Sequence, residues 1–197
     1  MKTGLFFGSF NPIHVGHMAI ANYMVEFADI EQVWFIVSPH NPLKEKHTLL
    51  PDHHRIEMVR IAINDDGRFK ASDIEFKLSK PSYTIDTLAY LNDKFPNNKF
   101  ALIMGSDNLK TLNLWKNYRE ILKHQIIYVY PRPDYPADIS QFNHNNEITA
   151  DIRLTEAPLM DISSNFIRKA IKSGKDIRYF LSEKVFNYIM EMHFYKK

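Results

Sequence analysis

The residues best suited to chemistry stand in one turn, GSFNPIHVGH (Gly8 to His17), directly after a short apolar run. Gly8 lets backbone approach a ligand closely, and Pro12 stiffens the turn. Gly16 with His17 opens a helix whose free N–H groups and positive dipole end favour an anion. The turn is neither GxGxxG nor a Walker A loop, because Ser9 follows Gly8 and no GK[ST] is present, so it needs a different phosphate grip. His14 and His17, three apart across the helix start, can both aim ring nitrogens at that place. Metal ligation is the competing reading, but helical metal pairs are usually spaced by four and no third ligand lies nearby. His53 and His54 read as plain surface histidines.

A second candidate is ISSNFIR (Ile162 to Arg168). Ser163 or Ser164 can cap a helix and offer backbone N–H groups, and Arg168, about one turn inside, can present its planar fork to the same anion. A serine cap followed by arginine is common on ordinary helices; the histidine pair is what gives this one weight. Arg132, in a Pro-rich stretch after the fifth strand, is a further substrate contact or a solvated loop residue.

These side chains need elements to bring them together. Compact apolar runs predict strands at Thr3 to Phe7, Gln32 to Ser38, Phe69 to Ile74, Phe100 to Gly105, Gln125 to Tyr130 and, more weakly, Ile152 to Thr155. Helical spacing predicts helices at His17 to Ala28, after an Asp52 cap with Ile56, Val59 and Ile63 buried, and at Thr84 to Phe95, Tyr118 to Lys123, Ser163 to Ser173 and Ser182 to His193. The alternation implies an α/β fold: a Rossmann-like, doubly wound parallel sheet with helices on both faces and a small C-terminal helical part. Ligands of such sheets bind at the strands' carboxyl ends. Pro131 to Asp151, with three prolines and the polar tract FNHNNE, reads as a long loop, either a lid or a surface excursion.

At 197 residues, 45% hydrophobic and 24% charged, the chain has a globular balance, and one domain over 1–197 is expected. It has no cysteine, which excludes a disulfide scaffold. A net charge of +2 gives no argument for nucleic acid or a membrane surface as partner. The longest apolar runs fall far short of a bilayer span, and LFF is too short for a secretory leader, so the cytoplasm is the expected compartment. A homo-oligomer is compatible with this composition.

HVGH within the first turn resembles the HxGH motif of the nucleotidyltransferase superfamily, and ISSNFIR resembles the ISSTxIR motif of its adenylyltransferase branch. Between them PSYTIDTL (Pro81 to Leu88), GSDNL (Gly105 to Leu109) and Trp115 resemble the bacterial nicotinate mononucleotide adenylyltransferases, over essentially the whole chain. The departures are Ser9 and Asn11, where that family more often has glycine and aspartate, Asn165 for threonine, and NPLK (Asn41 to Lys44) for PPHK, with Leu43 in the histidine's place. The resemblance implies adenylyl transfer from ATP to nicotinate mononucleotide with Mg²⁺ as cofactor carried by the ATP phosphates, and no metal ligand from protein side chains. It implies ATP contacts from Gly8, Ser9, Phe10, Gly16, Gly105, Asp107, Ile162, Ser163 and Ser164, and mononucleotide contacts from Lys44, Ser82, Tyr83, Thr84 and Trp115. His14, His17 and Arg168 are the implied catalytic residues.

The physics agrees with such a reaction. A phosphate monoester has a second pKa of about 6, so it is mostly dianionic at neutral pH and needs no general base. The histidines should therefore donate hydrogen bonds to phosphate rather than remove a proton. Nicotinamide mononucleotide or phosphopantetheine are alternative substrates within the class; PSYT, GSD and Trp115 favour pyridine nucleotides. A regulator that binds nucleotide without turnover is the alternative from another class, and His14, His17 and Arg168 occurring together argue against it.

Overall fold

A computed structural model describes residues 1–39, 49–143 and 150–196. Six strands, β1 (Lys2–Gly8), β2 (Gln32–Val37), β3 (Phe69–Ser72), β4 (Lys99–Gly105), β5 (Ile126–Tyr130) and β6 (Asp151–Leu154), form one sheet in the order β3-β2-β1-β4-β5-β6. Every pairing is parallel. The strand order reverses between β1 and β4, which opens a crevice beyond their carboxyl ends.

Side-chain alternation sorts the sheet onto two cores. On one face Phe6, Phe35, Ile103 and Tyr128 pack with Ile20 and Met24 of α1 (Val15–Phe27) and Ile56 and Val59 of α2 (Asp52–Ile63). On the other, Leu5, Trp34, Ile36 and Leu102 pack with Leu88 and Leu91 of α3 (Thr84–Lys94). After the single turn α4 (Ser106–Leu109), α5 (Tyr118–His124) joins that second face through Ile121 and Leu122. The short α6 (Ser140–Asn143) contributes Phe142 to the same face. The C-terminal helices α7 (Ser164–Lys172) and α8 (Glu183–Glu191) return to the first face, where Ile167, Ile171, Val185 and Ile189 enter the core of α1 and α2. The doubly wound expectation holds, and the closing helices share an existing core.

Several boundaries differ for local reasons. β3 stops at Ser72, because residues Ile74–Phe76 form a 3₁₀ turn that buries Ile74 and Glu75. α1 begins at Val15, two residues before His17, since the His14 carbonyl accepts from the His17 and Met18 N–H groups (2.9 and 3.3 Å). Asp52 is the first residue of α2, not its cap; Pro51 holds the cap position, and Asp52 pairs with Arg55 instead. On that helix Ile63 is only half-buried, and the fully buried residues are Arg55, Met58 and Val59. Ser163 caps α7 by accepting from the Phe166 N–H at 3.1 Å, whereas Ser182 occupies the α8 cap position without such a bond. α8 ends at Glu191, and the chain then turns sharply through His193 and Tyr195, both with positive φ (55° and 63°). Residues 131–143 of the long loop are not a free excursion: an Arg132–Tyr135 bridge opens them, and Ala137, Ile139 and Phe142 pack on the second core.

Candidate active site

At the carboxyl end of β1 the chain must reverse within a few residues. Phe10 makes the reversal in the left-handed region (φ 43°), a conformation that costs a bulky residue energy and persists where packing over-determines it. Here the Phe10 ring is buried edge-on against Phe6, Phe35 and His17 at 5.8, 5.5 and 5.1 Å. It also lies under Gly8, where an added Cβ would stand 2.8 Å from the ring. Glycine at 8 and phenylalanine at 10 therefore form one device that fixes the floor of the crevice.

The two imidazoles stack above that floor, with centroids 3.7 Å apart and planes 27° apart. The His14 N–H donates to His17 Nδ1 at 3.2 Å. An imidazole nitrogen that accepts leaves the ring proton on the other nitrogen, so Nε2 is the donor that His17 can offer a ligand. His14 is 5% exposed, and its Nδ1 has no hydrogen-bond partner among the described residues. Burial, and then the charge of Arg132, lower its pKa to about 3. His14 is thus neutral at ordinary pH, and a bound anion would reward any proton it takes up.

Helix α7 is tied to the same turn. Ser164 Oγ donates to the Pro12 carbonyl and Arg168 Nη1 to the Asn11 carbonyl, both at 2.8 Å. The second motif is therefore fastened to the first by side chain on backbone. Ser163 and Ser164 spend their hydroxyls on this scaffold, and the Phe166 N–H is taken by the Ser163 cap, so a ligand at the start of α7 would meet the N–H groups ahead of it. Arg168 Nε is buried and unpartnered among the described residues, and burial lowers the pKa of the group. Asn165 accepts from Arg168 Nη2 at 3.4 Å.

These residues line a cavity of about 510 Å³. Gly8, Ser9, Phe10, Gly16 and the two histidines form one wall; Ile162, Ser163, Ser164 and Arg168 form the facing one. Asp107 and Arg132 close the side nearest β4 and β5. Gly105 lies behind them, where any Cβ would collide with the Asp107 carboxylate and meet the Arg132 stem at 2.9 Å. Arg132 is held by its own N–H to Ser106 Oγ (3.0 Å), by Nη1 to the Met160 carbonyl (3.2 Å) and by Asp107 at 4.0 Å. Arg132 thus lines the first cavity, where its charge acts on His14, and is not a freely solvated loop residue.

Ser82, Tyr83, Thr84 and Trp115 do not line that cavity. They gather beside it at the start of α3, where Lys116 pairs with Asp86 at 2.9 Å and lies 4.7 Å over the Tyr83 ring. Phe7 joins the two regions, since it lines the cavity and packs on the same core as Ile85 and Trp115. Lys44 lies outside the described residues, as does all of NPLK.

Two supporting residues escaped the sequence reading. Arg55 is fully buried and donates to the carbonyls of Leu50, Ser9, Ser38 and Pro39 (2.7 to 3.1 Å), which locks the first turn to the end of β2 and the start of α2. Its signal was present: Arg55 sits on the buried stripe of α2 beside Ile56 and Val59. Glu75, 3% exposed, accepts from Thr87 Oγ1 at 2.9 Å and interacts with Ser38 and Ser82, and burial raises its pKa. It braces the segment that leads into Tyr83. Nothing in DIEF marks a buried acid, because its partners, Ser38 and then Ser82 and Thr87, stand outside that short run.

Cationic and N–H donors gathered at a switch-point crevice place the molecule among the nucleotide-handling α/β proteins. Residues 5–170 match the cytidylyltransferase-like family. The chain is 54% identical to a probable nicotinate-nucleotide adenylyltransferase of Flavobacterium johnsoniae, covering all of both chains, and 46% identical to one of Bacteroides fragilis, covering 96% of this chain and 92% of the other. Its fold is similar to that of a nicotinic acid mononucleotide adenylyltransferase of Plasmodium falciparum solved with NaAD, with a TM-score of 0.80 at 20% identity over 99% and 97% of the two chains. The chain belongs to the cytidylyltransferase-like family, in its nicotinate-nucleotide adenylyltransferase branch.

Proposed function

We propose that the chain, acting as one unit in the cytoplasm where ATP is at hand, transfers the adenylyl group of ATP to nicotinate mononucleotide, forming nicotinate adenine dinucleotide and pyrophosphate. The observation that carries this reading is the stacked His14–His17 pair facing Arg168, which is anchored on the same turn. A phosphate oxygen of the mononucleotide forms a bond to the α-phosphorus of ATP while the bond from that phosphorus to pyrophosphate breaks. No proton has to be removed from the dianionic nucleophile.

Catalysis then rests on alignment and on donors aimed where charge accumulates. His17 Nε2 donates to the phosphate chain, and the guanidinium groups of Arg168, on the α7 wall, and Arg132, on the side near β5, neutralise it. Neutral His14 can donate from one nitrogen and gains a proton more readily once the polyanion is bound. Tyr83, Thr84 and Trp115 receive the pyridine, with N–H groups at the start of α3 for its carboxylate and the indole for its ring.

Among the described residues no three His, Asp or Glu side chains converge on a point that would hold a bare metal ion. The donor set, several cations with the one carboxylate of Asp107, fits an ion that arrives on the triphosphate. Mg²⁺ bound in this way would offset phosphate charge. Among the same residues no helix is long and apolar enough to cross a membrane.

The direct test is incubation of the purified protein with ATP and each mononucleotide, with product separated by chromatography and pyrophosphate measured. The dinucleotide of the acid should form with a higher kcat/KM than that of the amide. No product, or a preference for the amide, would overturn the assignment.

A further inference from the structure

Asn11 is 2% exposed, lines the cavity and gathers three distant segments. Its backbone carbonyl accepts from Arg168 of α7 at 2.8 Å. Its side-chain oxygen accepts from the Leu50 N–H at 3.3 Å, just ahead of α2, and from the Tyr195 hydroxyl at 2.8 Å. Tyr195 lies in the tail beyond α8 and is not part of the cavity wall.

The tail is delivered there by a built route. The left-handed residues His193 and Tyr195 turn the chain back after α8. Phe194 between them packs edge-on against His54 and Tyr188, with centroids 4.7 and 5.8 Å away. With that ring seated, the Tyr195 phenol is directed inward, where it faces Arg168 and Arg55.

We infer that Tyr195 is a positioning residue of the phosphate site: its hydroxyl holds the Asn11 amide, and through it the carbonyl on which the Arg168 guanidinium is set. Arg168 can aim at a phosphate only as well as that carbonyl is fixed, because among the described residues its bond to Asn11, at 2.8 Å, is shorter than the one to Asn165 at 3.4 Å. Burial raises the phenol's pKa against the pull of the two arginines, so the group remains a donor and never becomes an anion beside the bound nucleotide. The asparagine suits this arrangement, since its uncharged oxygen accepts both bonds without setting a second negative charge against the polyphosphate.

This inference rests on the nucleotide-binding reading of the cavity, and its test separates the two. The affinity of a non-hydrolysable ATP analogue, read by titration calorimetry, is compared for wild type, Tyr195→Phe, Arg168→Lys and the double variant, alongside pyrophosphate release. Tyr195→Phe should weaken the analogue about fivefold and lower kcat, and leave the KM for nicotinate mononucleotide unchanged. The same substitution should do nothing further in the Arg168→Lys background. Equal affinity in wild type and Tyr195→Phe overturns the inference, as does a loss of the same factor in both backgrounds. If Tyr195→Phe lowers the folded fraction seen by circular dichroism, affinities are corrected to folded protein; a deficit that vanishes on correction also overturns it. A wild type that binds the analogue and releases no pyrophosphate would refute the proposed reaction, while the binding ratios would still decide the role of Tyr195.

Discussion

In the proposed reaction His17 carries the heaviest chemical load of any single side chain. The backbone of His14 fixes its tautomer, so its Nε2–H is presented without a reorganisation step at the moment of reaction. His17→Ala should lower kcat by about 10² to 10³ with the melting temperature nearly unchanged, measured by steady-state pyrophosphate release and thermal denaturation. His14 makes a different prediction, because burial depresses its pKa in the folded state to about 3 from 6.5. Between those values the unfolded chain binds the proton and the folded chain does not. Stability from this residue is therefore fully present above pH 6.5 and is lost as pH falls toward 3, by on the order of a few kcal/mol. Melting temperatures across that range should fall less steeply for His14→Gln than for wild type, and equal slopes would dismiss the argument. Both histidines are legible in HVGH because a turn with that spacing has few other uses. The depressed pKa of His14 is not, because the burial that lowers it, and then the charge of Arg132, come from distant parts of the chain.

Among the elements, α2 shows how a site is supported from behind. Arg55 donates to four backbone carbonyls at once, and one of them belongs to Ser9 of the first turn. Arg55→Met should cost about 3 to 5 kcal/mol in urea unfolding, since removing a buried guanidinium leaves its partners bare. A change below about 1 kcal/mol would mean that the turn is held by other contacts. The strands and the longer helices follow from periodicity; the errors fall at their ends and at the single turns α4 and α6, too short to show a period. α1 starts early because His14 and His17 cap it reciprocally, His17 Nδ1 accepting from the His14 N–H, which lacks the serine signature of the Ser163 cap of α7. β3 ends early because Glu75 is drawn inward by hydroxyl groups of other segments.

Across the whole molecule, the proposed reaction divides its labour between two neighbouring regions. The histidine cavity is lined from β1, α1, α4, β5 and α7, whereas Trp115 packs on the second core, joined to the cavity through Phe7. Removing the indole should thus affect one substrate and not the other. Trp115→Ala should raise the KM for nicotinate mononucleotide about tenfold, the worth of one aromatic stack, with the KM for ATP unchanged in two-substrate kinetics. A parallel rise in both would show that the two regions are not independent.

The order of strands and helices, the two motifs and the crevice at the carboxyl ends were all determined by the sequence alone. Local periodicity and turn chemistry encode them, and right-handed parallel connections leave few arrangements for such a pattern. Only the tertiary structure decided that Arg132 faces His14, that Arg55 locks the turn, and that the tail's Tyr195 reaches Asn11 across 184 positions of chain. Hydrogen bonds between residues so far apart are chosen by where the packed cores leave polar groups in need of partners, and no short window of sequence contains that information.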